Sequence, residues 1–219
     1  MTIARSPSLQ ATLLTIVAGI ADAVGYITMG GVFAANMTGN TVLAGIAAAH
    51  GRWLDAFHHL SPLVTFFLGA MLARLILRLW RRPAFAIALE AALLAALDFL
   101  PLGIEAKVLI VALAMGLQAS AITQFAGAAI STVVVTSTLA RTADAALDAL
   151  VPGAATAPPA KAAPRRLLAL TWLGYLAGAI AGALLLQVMP YPLLVPAALL
   201  ILVIFLLRDH IGGVSPSLP

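Results

Sequence analysis

The sequence contains no cysteine, which removes disulfides, thiol nucleophiles and Cys-ligated metals. It is also poor in charge, with 12 Lys and Arg and 8 Asp and Glu making up 9% of 219 residues. Soluble domains carry about 25% charged residues. A chain of this size leaves much of its folded surface outside the core, and so few charges cannot wet it. A soluble cytosolic enzyme is thereby excluded, and so is a disordered chain, which needs a polar composition. The four His fall in no metal-ligand spacing, so neither a metal nor a cofactor is expected. Ser, His and Asp are scattered without a nucleophile–base pair, which argues against an enzyme.

What is present is apolar: 63% of the chain. The apolar residues gather in blocks at 9–49, 60–80, 84–100, 108–149, 167–188 and 191–207. That pattern predicts an all-α polytopic membrane protein. One crossing takes about 20 residues. Four blocks fit one crossing each. Blocks 9–49 and 108–149 are too long for a single straight helix and are expected to be broken or re-entrant. The run from Leu9 is too long for a cleaved leader, so a retained first span is expected. Residues 151–164, VPGAATAPPAKAAP, read as a Pro/Ala linker.

Charge gives the orientation. With one net crossing per block, alternate loops hold ten cations on one side and two on the other. The positive-inside rule then puts both termini in the cytoplasm. The net charge of +4 is thus a topology signal and not a nucleic-acid footprint.

The two halves resemble each other. Gly19-Ile20-Ala21-Asp22 is echoed by Gly116-Leu117-Gln118-Ala119, and Leu68-Gly69-Ala70-Met71-Leu72-Ala73 by Ala177-Gly178-Ala179-Ile180-Ala181-Gly182. Residues 1–104 and 105–209 therefore read as two repeats of three net crossings. An odd number of crossings forces opposite orientations, giving a 3+3 inverted repeat. The competing explanation is that helices rich in Ala, Gly and Leu look alike. Inverted repeats with interrupted helices are a recurring transporter plan, with the binding site near the bilayer midplane.

Polar residues inside apolar blocks are the candidate site. The stretch Gly30 to Thr41 holds three Gly, two Asn and two Thr. It reads either as a helix break whose Asn36, Thr38, Gly39, Asn40 and Thr41 line a solute site, or as a polar turn at the outer surface. Asp22 lies midway along its span, where a carboxylate needs hydration, a partner or a proton. Tyr26, at i+4, is placed to donate to it. Glu90 sits near the centre of the third block. Asp22 and Glu90 are the proton-coupling candidates, against the alternative of a structural hydrogen bond. Gln118, Thr136 and Thr138 form the second polar cluster, the counterpart expected on the other half. Gly69/Ala73 and Gly174/Gly178/Gly182 have small-xxx-small spacing and read as helix contacts. His58 and His59 are expected in a wetted loop.

The run from Gly30 through Asn36-Met37-Thr38-Gly39-Asn40-Thr41, preceded by Asp22-Ala23 and Gly25-Tyr26, closely resembles the YoaK family of bacterial inner-membrane proteins. The resemblance extends over nearly the whole chain, and Gly116-Leu117-Gln118 resembles the family's second-half motif. Where the family pattern has Gly after the later Thr, this chain has Ser137 after Thr136. The resemblance implies an inner-membrane helical protein and a small-molecule permease. The function expected is a permease or secondary transporter for an unidentified small solute, with proton coupling through Asp22. The alternatives are a passive channel-like pore and a non-transporting partner of a membrane complex. The expected partners are the lipid bilayer and that solute, with a homo-oligomer left open.

Overall fold

Helix α1 (Pro7–Thr28) stops just before Gly30 and Gly31, whose φ angles of 72° and 75° suit a residue without a Cβ. The computed structural model describes residues 7–125, 128–129, 132, 139–143, 147 and 165–208. After the two glycines the chain doubles back along the last turns of α1. Val32 comes to lie against Gly25, and Ala35 against Asp22. Helix α2 (Met37–Ala49) therefore starts at the depth of Asp22 and repeats the direction of α1. Gly51, at φ 70°, turns the chain into α3 (Trp53–Trp80), which passes Gly30 at His58. Arg81 in the left-handed region ends α3, and Pro83 starts α4 (Pro83–Phe99) at a position that needs no N–H. There follow α5 (Ile104–Ala121), a short antiparallel pair β1 (Gln124–Phe125) and β2 (Ala128–Ala129), then α6 (Arg165–Val188) and α7 (Leu194–Arg208).

The packing rests on two helix crossings, α1 with α6 and α3 with α5. Both are made by glycine. Gly19 stands against the carbonyl oxygen of Tyr175, and Gly178 against that of Ile16. In the other pair, Gly116 meets the carbonyl of Phe66, and Gly69 that of Leu113. A Cβ at any of these four positions would overlap the facing oxygen. In every case that oxygen belongs to the residue three before the opposing glycine. Close backbone approach replaces the hydrophobic driving force that lipid does not supply. Around this frame α4 packs on α5 and α7, and α7 on α1.

The outer surface is apolar. Val64, Phe67, Met71 and Leu75 form an exposed stripe on α3, and Leu173, Leu176, Ile180 and Leu184 form one on α6. Trp53 and Trp80 are exposed at the two ends of α3, the places interfacial aromatics occupy. Among the described residues, α1, α3, α5 and α6 are long and apolar enough to cross a membrane. With 17 and 15 residues, α4 and α7 reach about 25 and 22 Å, against roughly 30 Å of hydrocarbon.

Several predicted boundaries move. Block 9–49 is broken as expected, into α1 and α2. The helix expected at 60–80 starts earlier, at Trp53, so His58 and His59 lie on its first turns and not in a wetted loop. The Arg52–Asp55 pair at 3.0 Å and an acidic residue in the first turn favour that start, and the helix runs on through Pro62. Block 108–149 is also broken as expected, with α5 ending at Ala121 and residues 139–143 helical again, and the β pair adds a small strand element to a fold expected to be all-α. The helix predicted from residue 191 begins at Leu194, after Pro190 and Pro192 and where Asp98 Oδ2 accepts from the Leu194 N–H at 3.0 Å. The linker 151–164 lies outside the described residues.

The glycine crossings give a direct test. Gly178→Leu and Gly69→Leu must push helices apart, at a cost of at least about 3 kcal/mol, the upper end for overpacked cores. Gly45, on α2, has open space where a Cβ would go. Gly45→Ala should raise stability by about 0.5–1 kcal/mol through helix propensity. Thermal unfolding in detergent reads all three. Similar changes at the three sites would contradict the crossing geometry.

Candidate functional site

Three segments meet at the carboxyl group of Asp22, which is 3% exposed. Oδ1 accepts from the Ala35 N–H at 2.5 Å and the Asn36 N–H at 3.3 Å. Oδ2 accepts from the hydroxyl of Tyr175 on α6. Asp22 thus joins α1, the break and a helix from the far half of the chain. It sits beside the N-terminus of α2, the favourable end of a helix dipole for a carboxylate.

The break has a second anchor in Asn40, which is fully buried in the first turn of α2. Its amide pairs with both backbone groups of one residue: Oδ1 accepts from the Phe33 N–H at 2.9 Å, and Nδ2 donates to the Phe33 oxygen at 2.8 Å. Asn36 is the N-cap of α2, its side chain accepting from the Gly39 N–H at 3.0 Å. Gly39 lets these groups approach, since a Cβ would lie 2.9 Å from both the Phe33 ring and the Asn36 amide and would shift them. Thr38 and Thr41 are exposed on α2, and the Thr41 hydroxyl donates to the Met37 oxygen at 2.8 Å.

The hydroxyl on Asp22 is therefore not that of Tyr26. Tyr26 is 47% exposed, and its ring stacks on Phe33 at 4.8 Å between centroids. The partner comes instead from Tyr175, which sequence reasoning missed because the two are brought together only by the α1–α6 crossing. Asp98, the cap of α7, and the 2.9 Å contact between His58 Nδ1 and Glu105 were missed for the same reason.

Gln118, fully buried on α5, makes a second link to α1. Its Nε2 donates to the Leu14 oxygen of α1 at 3.0 Å and to Thr132 Oγ1 at 3.2 Å, while its Oε1 is buried without a partner among the described residues. Glu90 is fully buried on α4, and neither carboxyl oxygen has a partner among the described residues. The helix-to-helix hydrogen bond that was one reading of Glu90 is thus not formed there. Thr136 and Thr138 lie outside the described residues. The site has fixed polar groups, Asp22, Asn36 and Asn40, that hold unwound backbone. Elsewhere in the core, the Gln118 carbonyl and the Glu90 carboxyl are buried without a partner among the described residues.

Residues 10–207 match a family model described as protein of unknown function, DUF1275. The chain is also similar to the UPF0700 transmembrane protein YoaK of Bacillus subtilis. The two are 37% identical over 151 residues, which cover 64% of this chain and 67% of that protein. No solved structure matches the chain.

Two substitutions separate groups that hold the break from groups without a described partner. Asn40→Ala leaves the N–H and oxygen of Phe33 without partners, at about 1–3 kcal/mol for each. Its thermal transition in detergent should fall accordingly, and an unchanged transition would show the clamp to be idle. Glu90→Met replaces a carboxyl that has no partner among the described residues by an apolar side chain of similar length. It should raise stability by about 1–3 kcal/mol, the usual cost of a buried polar group without a hydrogen bond. A fall in stability would show that Glu90 has a partner.

Proposed function

This chain belongs to the DUF1275 family, and from that premise we propose that it is an inner-membrane permease, a secondary transporter for a small solute coupled to protons at Asp22. In this reading the chain is a 3+3 inverted repeat, with α4 and α7 completing six crossings. The observation that carries it is the exchange of partners between halves. Helix α1 of the first half crosses α6 of the second, and α5 of the second crosses α3 of the first, each pair through the same glycine geometry. The exposed stripes on α3 and α6 correspond position by position: Val64 with Leu173, Phe67 with Leu176, Met71 with Ile180 and Leu75 with Leu184. A pseudo-two-fold arrangement of this kind, with a broken helix at its interface, is the architecture of alternating-access carriers.

Asp22 breaks the symmetry, which suits a coupling group. Its counterpart is Ala119, and the counterpart of Tyr175 is Phe66. One half alone thus carries a carboxyl across the interface. A proton added to this carboxyl changes the acceptor held by Ala35, Asn36 and Tyr175, and so changes how tightly the break is tied to α6. Glu90 is the second candidate for proton uptake. Both termini face the cytoplasm in this arrangement, since the ten cations of the N-terminal, α3–α4, α5–α6 and C-terminal segments then share that side.

The test is solute uptake into proteoliposomes with an imposed pH gradient. Saturable, gradient-dependent flux is expected. Asp22→Asn keeps an oxygen for Ala35 and Asn36 and a polar group for Tyr175, so it should fold with stability within about 1 kcal/mol of the parent, the range of one neutral hydrogen bond. It should lose the dependence on the pH gradient. A variant whose flux keeps its full pH dependence removes Asp22 from coupling, and conductance that never saturates would replace the carrier by a pore.

A further inference from the structure

An open cleft of about 590 Å³ lies on the outward side of α3, within the roughly 300–1,000 Å³ of small-molecule sites. Its walls include Phe67, Met71 and Leu75, with Ser120 at the end of α5. Arg74 and Arg78 line the same cleft, one helical turn apart and so on one face. Both are exposed. Neither has an acidic partner among the described residues, where the ion pairs are Arg52–Asp55 and His58–Glu105. Two guanidinium groups thus stand without an acidic partner among the described residues, at the edge of an apolar trough in the surface that faces lipid.

We infer that this cleft is a binding site for an anionic glycerophospholipid, with the phosphodiester on Arg74 and Arg78 and an acyl chain along Phe67, Met71 and Leu75. Guanidinium groups hold phosphate oxygens by paired, charge-assisted hydrogen bonds. A soluble anion would satisfy the arginines and leave the apolar walls bare. A zwitterionic lipid would cover the walls and bring its own cation beside the arginines. An acidic lipid does both jobs with one molecule. The charge is particular to this helix. The α6 positions that correspond to Arg74 and Arg78 are Ala183 and Gln187, although the apolar stripe beside them is repeated. Snorkelling to the interface explains one exposed Arg near a helix end. It does not explain why two line one cleft on α3 and none does so on α6. The assignment is independent of whether the protein carries a solute, because the cleft lies on the lipid side of the α3–α5 crossing and away from Asp22.

The experiment is native mass spectrometry of the purified full chain with phosphatidylglycerol, phosphatidylcholine or inorganic phosphate. One phosphatidylglycerol should be retained at least about ten-fold over phosphatidylcholine, the equivalent of one charge-assisted hydrogen bond. It should resist displacement by inorganic phosphate. The double variant Arg74→Gln/Arg78→Gln should lose the preference, the Arg74→Lys/Arg78→Lys variant should keep part of it, and Arg52→Gln should keep all of it. Equal retention of the two lipids would mean ordinary annular lipid and overturn the assignment. So would an unchanged preference in the double glutamine variant, or ready displacement by phosphate.

Discussion

Unwound backbone buried in an apolar protein must find hydrogen-bond partners, because neither lipid nor a hydrocarbon core supplies them. Residues 29–36 are such a stretch, and two side chains anchor it at Phe33, Ala35 and Asn36. Asp22 takes the N–H groups of Ala35 and Asn36, and Asn40 takes both polar groups of Phe33. The rest of the first half follows from that solution. Because Asp22 is some two turns inside α1, the chain must fold back to reach it. Because it folds back, α2 starts deep and repeats the direction of α1. The tight turn at Gly51 then returns α3 against α2. The break is a folded unit with its own caps and its own aromatic stack.

The same carboxyl group couples this unit to the other half. Its free oxygen takes the hydroxyl of Tyr175, which the Gly19–Gly178 crossing delivers to within reach. Gln118 makes the reverse connection, from α5 to the backbone of α1. Glycine at the crossings and a few polar bridges between them hold the two halves together. Packing by backbone contact is well suited to helices in lipid. It also leaves the interface intolerant of any added methyl group, which is a reason for such positions to remain glycine.

The parts of this arrangement that were legible in the sequence are those decided locally. Gly30-Gly31 announced a break because positive φ is a property of the residue itself. The spacing of Gly174, Gly178 and Gly182 announced a helix contact, and all three do meet α1. Asn36 and Asn40 stood out as polar residues in an apolar block, and both side chains bond backbone groups of the break. Which helix meets which was not legible, and every error at the site follows from that. The i+4 rule offered Tyr26 to Asp22, whereas the observed donor is 153 residues away in sequence. At the start of α3, two His and two charges resembled a loop. A local ion pair and a favourable first turn made it helix instead.

The central claim is that Asp22 and Tyr175 act as one bridge between the break and the opposite half. A double-mutant cycle on Asp22→Ala and Tyr175→Phe, read by thermal unfolding in detergent, tests it most directly. Coupling of about 1–3 kcal/mol, the range for a buried hydrogen bond that loses one partner, is the expected result. Effects that add to within about 0.5 kcal/mol would mean the two side chains act independently, and would contradict the bridge.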